Sequence, residues 1–163
     1  MIKVAFSLGS NLGDKIQNLQ DGLASLSKIE GISDLSTSPF YQTAPWGDDD
    51  QDWFLNACST AFCDLSPSEL LQAIKTIEAE LGRVKSRRWG PRLIDIDILV
   101  YGDLEMESEE LTIPHLHLTK RAFVLVPLLD VWPDLTVAGL PISSHLAQLT
   151  REEGDIFPFA GPA

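Results

Sequence analysis

The chain has 163 residues, 44% of them hydrophobic, which is enough for one well-buried core and too apolar for an intrinsically disordered protein. With 24 acidic against 12 basic residues it carries a formal net charge of −12 and a sequence pI near 4.5, so its average surface repels nucleic-acid phosphates and anionic membranes. The N-terminal segment lacks a signal-peptide layout and no apolar run approaches the ~18 residues that cross a bilayer, so the expectation is one cytosolic domain over residues 1–163, a monomer without nucleic-acid or membrane partners.

Residues 2–8 form a short apolar run ended by Gly9, Ser10 and Asn11, which predicts a buried first strand and a turn. Leu12, Ile16, Leu19, Leu23 and Leu26 then recur at helical spacing, with Gly31 as the stop. Residues 32–42, rich in Ser, Thr and aromatics, predict a second strand, and residues 54–63 a third. Between them lies a loop, residues 43–53, with Pro45, Gly47 and four aspartates. Cys58 and Cys63 share the third strand at a separation that turns them to opposite faces, which predicts two free buried thiols.

Ser66, Pro67 and Glu69 are a helix-start signature, and Leu70, Leu71, Ile74, Ile77 and Leu81 supply an apolar stripe that Gly82 ends. Residues 94–101 alternate as a fourth strand. The order strand, helix, strand, strand, helix, strand predicts an α+β, ferredoxin-like antiparallel sheet with the two helices on one face. Beyond it lies a C-terminal extension: an acidic loop or edge hairpin, an apolar helix over residues 120–131 interrupted by Pro127, and a short helix near residues 143–150.

Chemistry concentrates between residues 82 and 97. Five of the twelve Lys and Arg residues (Arg83, Lys85, Arg87, Arg88, Arg92) fall between Gly82 and Arg92 with no acid among them, which marks a local anion site in an acidic protein. On the strand that follows, Asp95 and Asp97 share a face, their Cα atoms about 6.6 Å apart at a rise of about 3.3 Å per residue. Two carboxylates held together resist ionisation unless a divalent cation or neighbouring arginines compensate them. A magnesium–polyphosphate site and an exposed strand face paired with the preceding arginines are both open on this pattern alone. His115 reads equally as a neutral donor to phosphate or as a structural histidine, while Phe54 and Phe123 read as core. Glu78 reads as a solvated helix residue. Gly9-Ser-Asn-Leu-Gly13 matches neither a Walker loop nor a dinucleotide fingerprint.

A set of segments nevertheless resembles the 6-hydroxymethyl-7,8-dihydropterin pyrophosphokinases of folate biosynthesis. They are Ser7-Leu-Gly-Ser-Asn-Leu-Gly-Asp14, Thr43-Ala-Pro45, Asp50-Gln51, Phe54-Leu-Asn56, Gly82-Arg83, Arg88-Trp-Gly-Pro-Arg92, Asp95-Ile-Asp97, Pro114-His115 and Arg121-Ala-Phe-Val-Leu125. They run in family order across residues 4–130. The resemblance implies a ferredoxin-like enzyme in which the pterin hydroxymethyl oxygen attacks the β-phosphorus of ATP, giving the pterin diphosphate and AMP. It implies that Asp95 and Asp97 hold two Mg2+ ions and that Arg83 and Arg92 engage the phosphates. By the same resemblance Phe54 and Phe123 sandwich the pterin, and Asn56 with the stretch Thr43, Ala44, Pro45 and Trp46 binds its edge. Glu78, Lys85, Arg88, Trp89, Arg92, Ile98, Thr112, His115 and Arg121 fall at positions associated with ATP. Three residues depart from the family pattern: Lys85 where arginine is common, Trp46 where an aliphatic residue is common, and Leu116 where proline is common. The rival readings are a non-catalytic ferredoxin-like module for small ligands or RNA, and a metal-dependent phosphohydrolase.

Overall fold

The computed structural model describes residues 1–43, 53–82, 93–149 and 156–158. The first elements are β1 (Ile2–Ser10), α1 (Lys15–Ser27), β2 (Ile32–Thr37), β3 (Tyr41–Thr43), β4 (Phe54–Cys63), α2 (Pro67–Leu81) and β5 (Asp95–Tyr101). A small hairpin, β6 (Met106–Glu107) with β7 (Thr112–Ile113), then leads through a 3-10 turn (Leu118–Lys120) into α3 (Ala122–Val131). A second hairpin, β8 (Thr136–Val137) with β9 (Leu140–Pro141), precedes α4 (Ile142–Ala147) and β10 (Ile156–Pro158).

Both long helices begin where their capping residues dictate. The Asp14 carboxylate accepts from the Gln17 amide at 3.1 Å, and Ser66 and Glu69 satisfy each other's backbone amides at 3.2 and 3.0 Å, a complete capping box. The main sheet runs β10-β3-β4-β1-β5, with β2 also paired to β4, and all of its pairings are antiparallel. With β2 and β3 taken as one interrupted strand this is the expected ferredoxin-like order, extended at one edge by β10.

The interruption is a difference from the single strand expected over residues 32–42. Asp34 takes a positive φ of 55° and the ladder slips between Ser33 and Ser36. Pro39, which has no amide to donate, then breaks the strand. Ser38 bridges the gap, its amide donating to the Cys58 carbonyl at 2.8 Å while its hydroxyl accepts from the Cys58 amide at 3.0 Å.

Each face of the sheet carries its own apolar cluster. Val4, Phe6, Leu8, Leu55, Ala61, Ile96 and Ile98 pack against Leu19, Leu26, Leu70 and Ile74 of α1 and α2. On the opposite face Ala5, Cys58, Leu99 and Val100 pack against Val124, Leu125 and Leu128 of α3. Cys58 and Cys63 therefore sit in different clusters and both are free thiols, as their spacing predicts. Helix α3 runs from Ala122 to Val131 with Pro127 inside it, so the proline does not end the helix.

Strand β5 does not alternate throughout. Ala5 pairs with Val100 and Phe6 with Ile98, leaving Leu99 as an extra residue. This bulge sends both Leu99 and Val100 into the α3 cluster and returns Tyr101 to the other side. Leu99 follows Asp95 and Asp97 on the α3 face by ordinary alternation and the bulge sets Val100 beside it, while Asp95 and Asp97 line open cavity instead of packing under α3.

Candidate active site

Where α3 stops covering the sheet, a cavity of about 550 Å3 opens over its surface, within the size range of small-molecule sites. Its floor is the antiparallel ladder. From β1 come Ser7, Leu8 and Gly9; from β4, Phe54 and Asn56; from β5, Asp95 and Asp97; His117, Lys120, Arg121 and Phe123 descend from the segment that enters α3. The register fixes the layout: Gly9 lies between Asn56 on β4 and Asp95 on β5, and Ser7 between Cys58 and Asp97. Aromatic and amide groups thus occupy one side of the floor and the two carboxylates the other, with β1 as the divide.

The amide wall is held from behind. Asn56 Nδ2 donates to Thr43 Oγ1 at 2.7 Å, and both residues are buried. This orients Asn56 Oδ1 toward β1, where a Cβ added to Gly9 would stand 2.9 Å from it. Only a glycine leaves that oxygen its place. The Arg121 guanidinium carbon lies 5.4 Å from the centre of the Phe123 ring, so charge and ring enter the cavity together.

His115 stands beside the carboxylate wall. Its backbone amide donates at 2.9 Å to the carbonyl of Leu99, the bulged residue. Its Nδ1 accepts from the His117 amide at 3.2 Å, so the neutral ring carries its proton on Nε2, which lies 3.8 Å from Asp97 Oδ2. Burial holds its pKa below the usual histidine range; Asp97 opposes that shift, and Arg121 and His117 reinforce it.

Of the residues singled out from the sequence, Asp95, Asp97, Phe54, Asn56, Arg121 and Phe123 line the cavity, Thr43 supports Asn56, and His115 lies against Asp97. Three others stand elsewhere. Glu78 is not a free solvated side chain: its carboxylate accepts from the Ile96 amide at 3.0 Å, closing the outer edge of β5. Ile98 packs into the α1–α2 cluster at 3% exposure, so a nucleotide contact there is a main-chain contact. Thr112 pairs with Glu107 in the small hairpin. Ala44, Pro45, Trp46, Arg83, Lys85, Arg88, Trp89 and Arg92 lie outside the described residues.

Ser7, Gly9, His117 and Lys120 also line the cavity. The first two were legible in principle, because alternate residues of a buried strand that are small or polar mark the face that leaves the core. Lys120 carries no pattern until the 3-10 turn brings it round.

Comparison with known proteins agrees with this geometry. The family model described as 7,8-dihydro-6-hydroxymethylpterin-pyrophosphokinase (HPPK) matches residues 5–133. A 2-amino-4-hydroxy-6-hydroxymethyldihydropteridine pyrophosphokinase from Methylorubrum extorquens is 46% identical over 149 residues, covering 91% of this chain and 94% of that relative. The protein of the same description from Haemophilus influenzae is 39% identical, with 95% of each covered. Among solved structures, a Plasmodium falciparum HPPK-DHPS crystal structure superposes with a TM-score of 0.70 at 16% identity, over 90% of this chain and 43% of that longer one. That last likeness speaks for the fold alone. By sequence and by fold, the chain belongs to the 7,8-dihydro-6-hydroxymethylpterin-pyrophosphokinase family.

Proposed function

We propose that this chain, as one domain, transfers diphosphate from ATP to the hydroxymethyl group of 6-hydroxymethyl-7,8-dihydropterin, giving the pterin diphosphate and AMP. The observation that carries the reading is the antiparallel register, which sets an aromatic and amide wall (Phe54, Asn56) and a carboxylate wall (Asp95, Asp97) on opposite sides of one floor. A flat heterocycle fits the first wall and a cation-bound triphosphate fits the second, so the two reacting groups meet over β1.

The donor set suits magnesium. Asp95 and Asp97 offer hard oxygen ligands from alternate residues of one strand, and the cavity beside them leaves room for phosphate oxygens and water. They would hold two Mg2+ ions, which when bound supply charge neutralisation along the triphosphate. The protein's own part is positioning. Phe54 and Phe123 would sandwich the ring, a stack worth about 0.5–1.5 kcal/mol beyond area burial. Asn56, locked by Thr43, would present its amide to the ring edge. Arg121 and the Nε2–H of neutral His115 would face phosphate oxygens, and Arg83, Lys85, Arg88 and Arg92 would complete the anion site from the segment before β5. Positioning and preorganised charge account for most of phosphoryl-transfer catalysis, so no dedicated base is needed.

Incubating the protein with ATP, Mg2+ and the reduced pterin tests the reading. AMP and pterin diphosphate in equal amounts are expected. Inorganic phosphate released without pterin would favour a phosphohydrolase, and no turnover with retained ligand binding would favour a non-catalytic module.

A further inference from the structure

We infer that the Ser7 hydroxyl is a positioning group for the nucleophile: it hydrogen-bonds the oxygen of the substrate's hydroxymethyl arm and turns that oxygen toward the carboxylate wall. The inference rests on the pterin reading and goes beyond it by naming the group that orients the arm.

A substrate whose ring lies at the Phe54–Asn56 side and whose oxygen must reach phosphorus at the Asp95–Asp97 side has to cross β1. Two residues of β1 show side-chain positions on that face within the cavity, Gly9 and Ser7. Gly9 contributes space, since even a methyl there would meet Asn56 Oδ1 at 2.9 Å. Ser7 is the cross-strand neighbour of Asp97, and its β4 neighbour is Cys58, whose thiol is occupied with the Val124 carbonyl at 3.4 Å. Cross-strand neighbours carry their Cβ atoms about 5 Å apart. The hydroxyl therefore stands about one small polar group from the Asp97 carboxylate, where the transferring oxygen has to be. Further along the same face Ala5 is apolar and fully buried, so Ser7 marks the point where this strand changes from core to cavity.

In the transfer, the hydroxymethyl oxygen forms a bond to the β-phosphorus. The bond from that phosphorus to the oxygen bridging it to the α-phosphate breaks, AMP leaves with that oxygen and its electron pair, and the substrate hydroxyl's proton passes to bulk water. Ser7 keeps its own proton throughout. Its effect is to restrict the arm to rotamers that place its oxygen on the phosphate side, the orientational component of catalysis.

The test compares Ser7→Ala and Ser7→Thr with the parent protein in two measurements. In equilibrium titrations without nucleotide or metal, the parent should bind 6-hydroxymethyl-7,8-dihydropterin about fivefold more tightly than 6-methyl-7,8-dihydropterin, the worth of one neutral hydrogen bond. Ser7→Ala should bind the two alike, and Ser7→Thr, which keeps the hydroxyl, should restore the preference. In single-turnover experiments with saturating ATP and Mg2+, Ser7→Ala should transfer about tenfold more slowly with an unchanged melting temperature. If Ser7→Ala keeps the parent's preference for the hydroxymethyl ligand, the inference is overturned and the pterin reading stands. If the parent itself neither binds the pterin nor releases AMP, the pterin reading fails and takes the inference with it.

Discussion

Gly9 offers the sharpest perturbation of the pterin wall, because a single methyl is aimed at one atom. In Gly9→Ala the new Cβ would lie 2.9 Å from Asn56 Oδ1, against about 3.4 Å for an ordinary contact, so the amide must retreat by about 0.5 Å. It cannot do so freely. Its Nδ2 is bonded to Thr43 Oγ1 at 2.7 Å and Asn56 is only 7% exposed. A displacement of that size misaligns a ligand hydrogen bond or breaks the bond to Thr43, a loss of about 1–2 kcal/mol and hence about 5- to 30-fold in pterin affinity. The assay is equilibrium titration of the pterin into both proteins, with an ATP analogue as the control ligand that should change less than twofold. A double-mutant cycle separates this cause from general strain: in an Asn56→Ala background there is no Oδ1 to meet, and Gly9→Ala should then cost almost nothing further. Pterin affinity within twofold of the parent in Gly9→Ala, or an undiminished cost in the Asn56→Ala background, would refute the reasoning.

Three more outcomes are expected. Asp97→Ala should lower turnover at millimolar Mg2+ by about two orders of magnitude or more while leaving stability within about 0.5 kcal/mol, because its half-exposed carboxylate serves the site and not the core; near-normal turnover would remove it from the metal site. Glu78→Ala should lower stability by about 1–2 kcal/mol in chemical denaturation, since it leaves the Ile96 amide at the β5 edge without its acceptor, and a loss confined to ATP affinity would instead make it a nucleotide contact. Tyr41 donates to the Asp130 carboxylate across β3 and α3, and that bond, then burial, then the Asp130 charge push its pKa up to about 12. A raised folded-state pKa means the phenol's contribution to stability is complete below its ordinary value of 10.0 and disappears as pH climbs through about 12. Spectrophotometric titration of Asp130→Asn should show one tyrosine ionising earlier than in the parent, and an unchanged curve would dismiss the pair.

Local chemistry explains which parts of the fold were legible. The two capped helices and β4 follow from signals that act within a few residues, the Asp14 cap, the Ser66–Glu69 box and a largely apolar, small-residue run, and each appears with bounds close to those expected. The break between β2 and β3 was legible only in part, since Pro39 is a local signal, whereas the slip between Ser33 and Ser36 and the bulge at Leu99 are decided across the sheet. Ser38 substitutes for ladder bonds only because Cys58 lies opposite, and Leu99 is extra only relative to the spacing of β1. In the same way Asp95 and Asp97 were legible as a pair by alternation, and Ser7 and Gly9 as the face of β1 that leaves the core, whereas which acid each of them neighbours is set only by register.

Strand β5 serves the cavity at one end and the core at the other. By alternation Asp95, Asp97 and Leu99 share the α3 face, so the change from acid to aliphatic along that face follows from the residue order itself. The slip at Leu99 adds Val100 to that face and turns Tyr101 to the other. The Leu99 carbonyl accepts from the His115 amide at 2.9 Å, and the His115 ring stands 3.8 Å from Asp97. The bulge thus enlarges the core end of the face that the acids begin, so deletion of Leu99 would be expected to weaken packing under α3 while leaving Asp95 and Asp97 paired with Gly9 and Ser7.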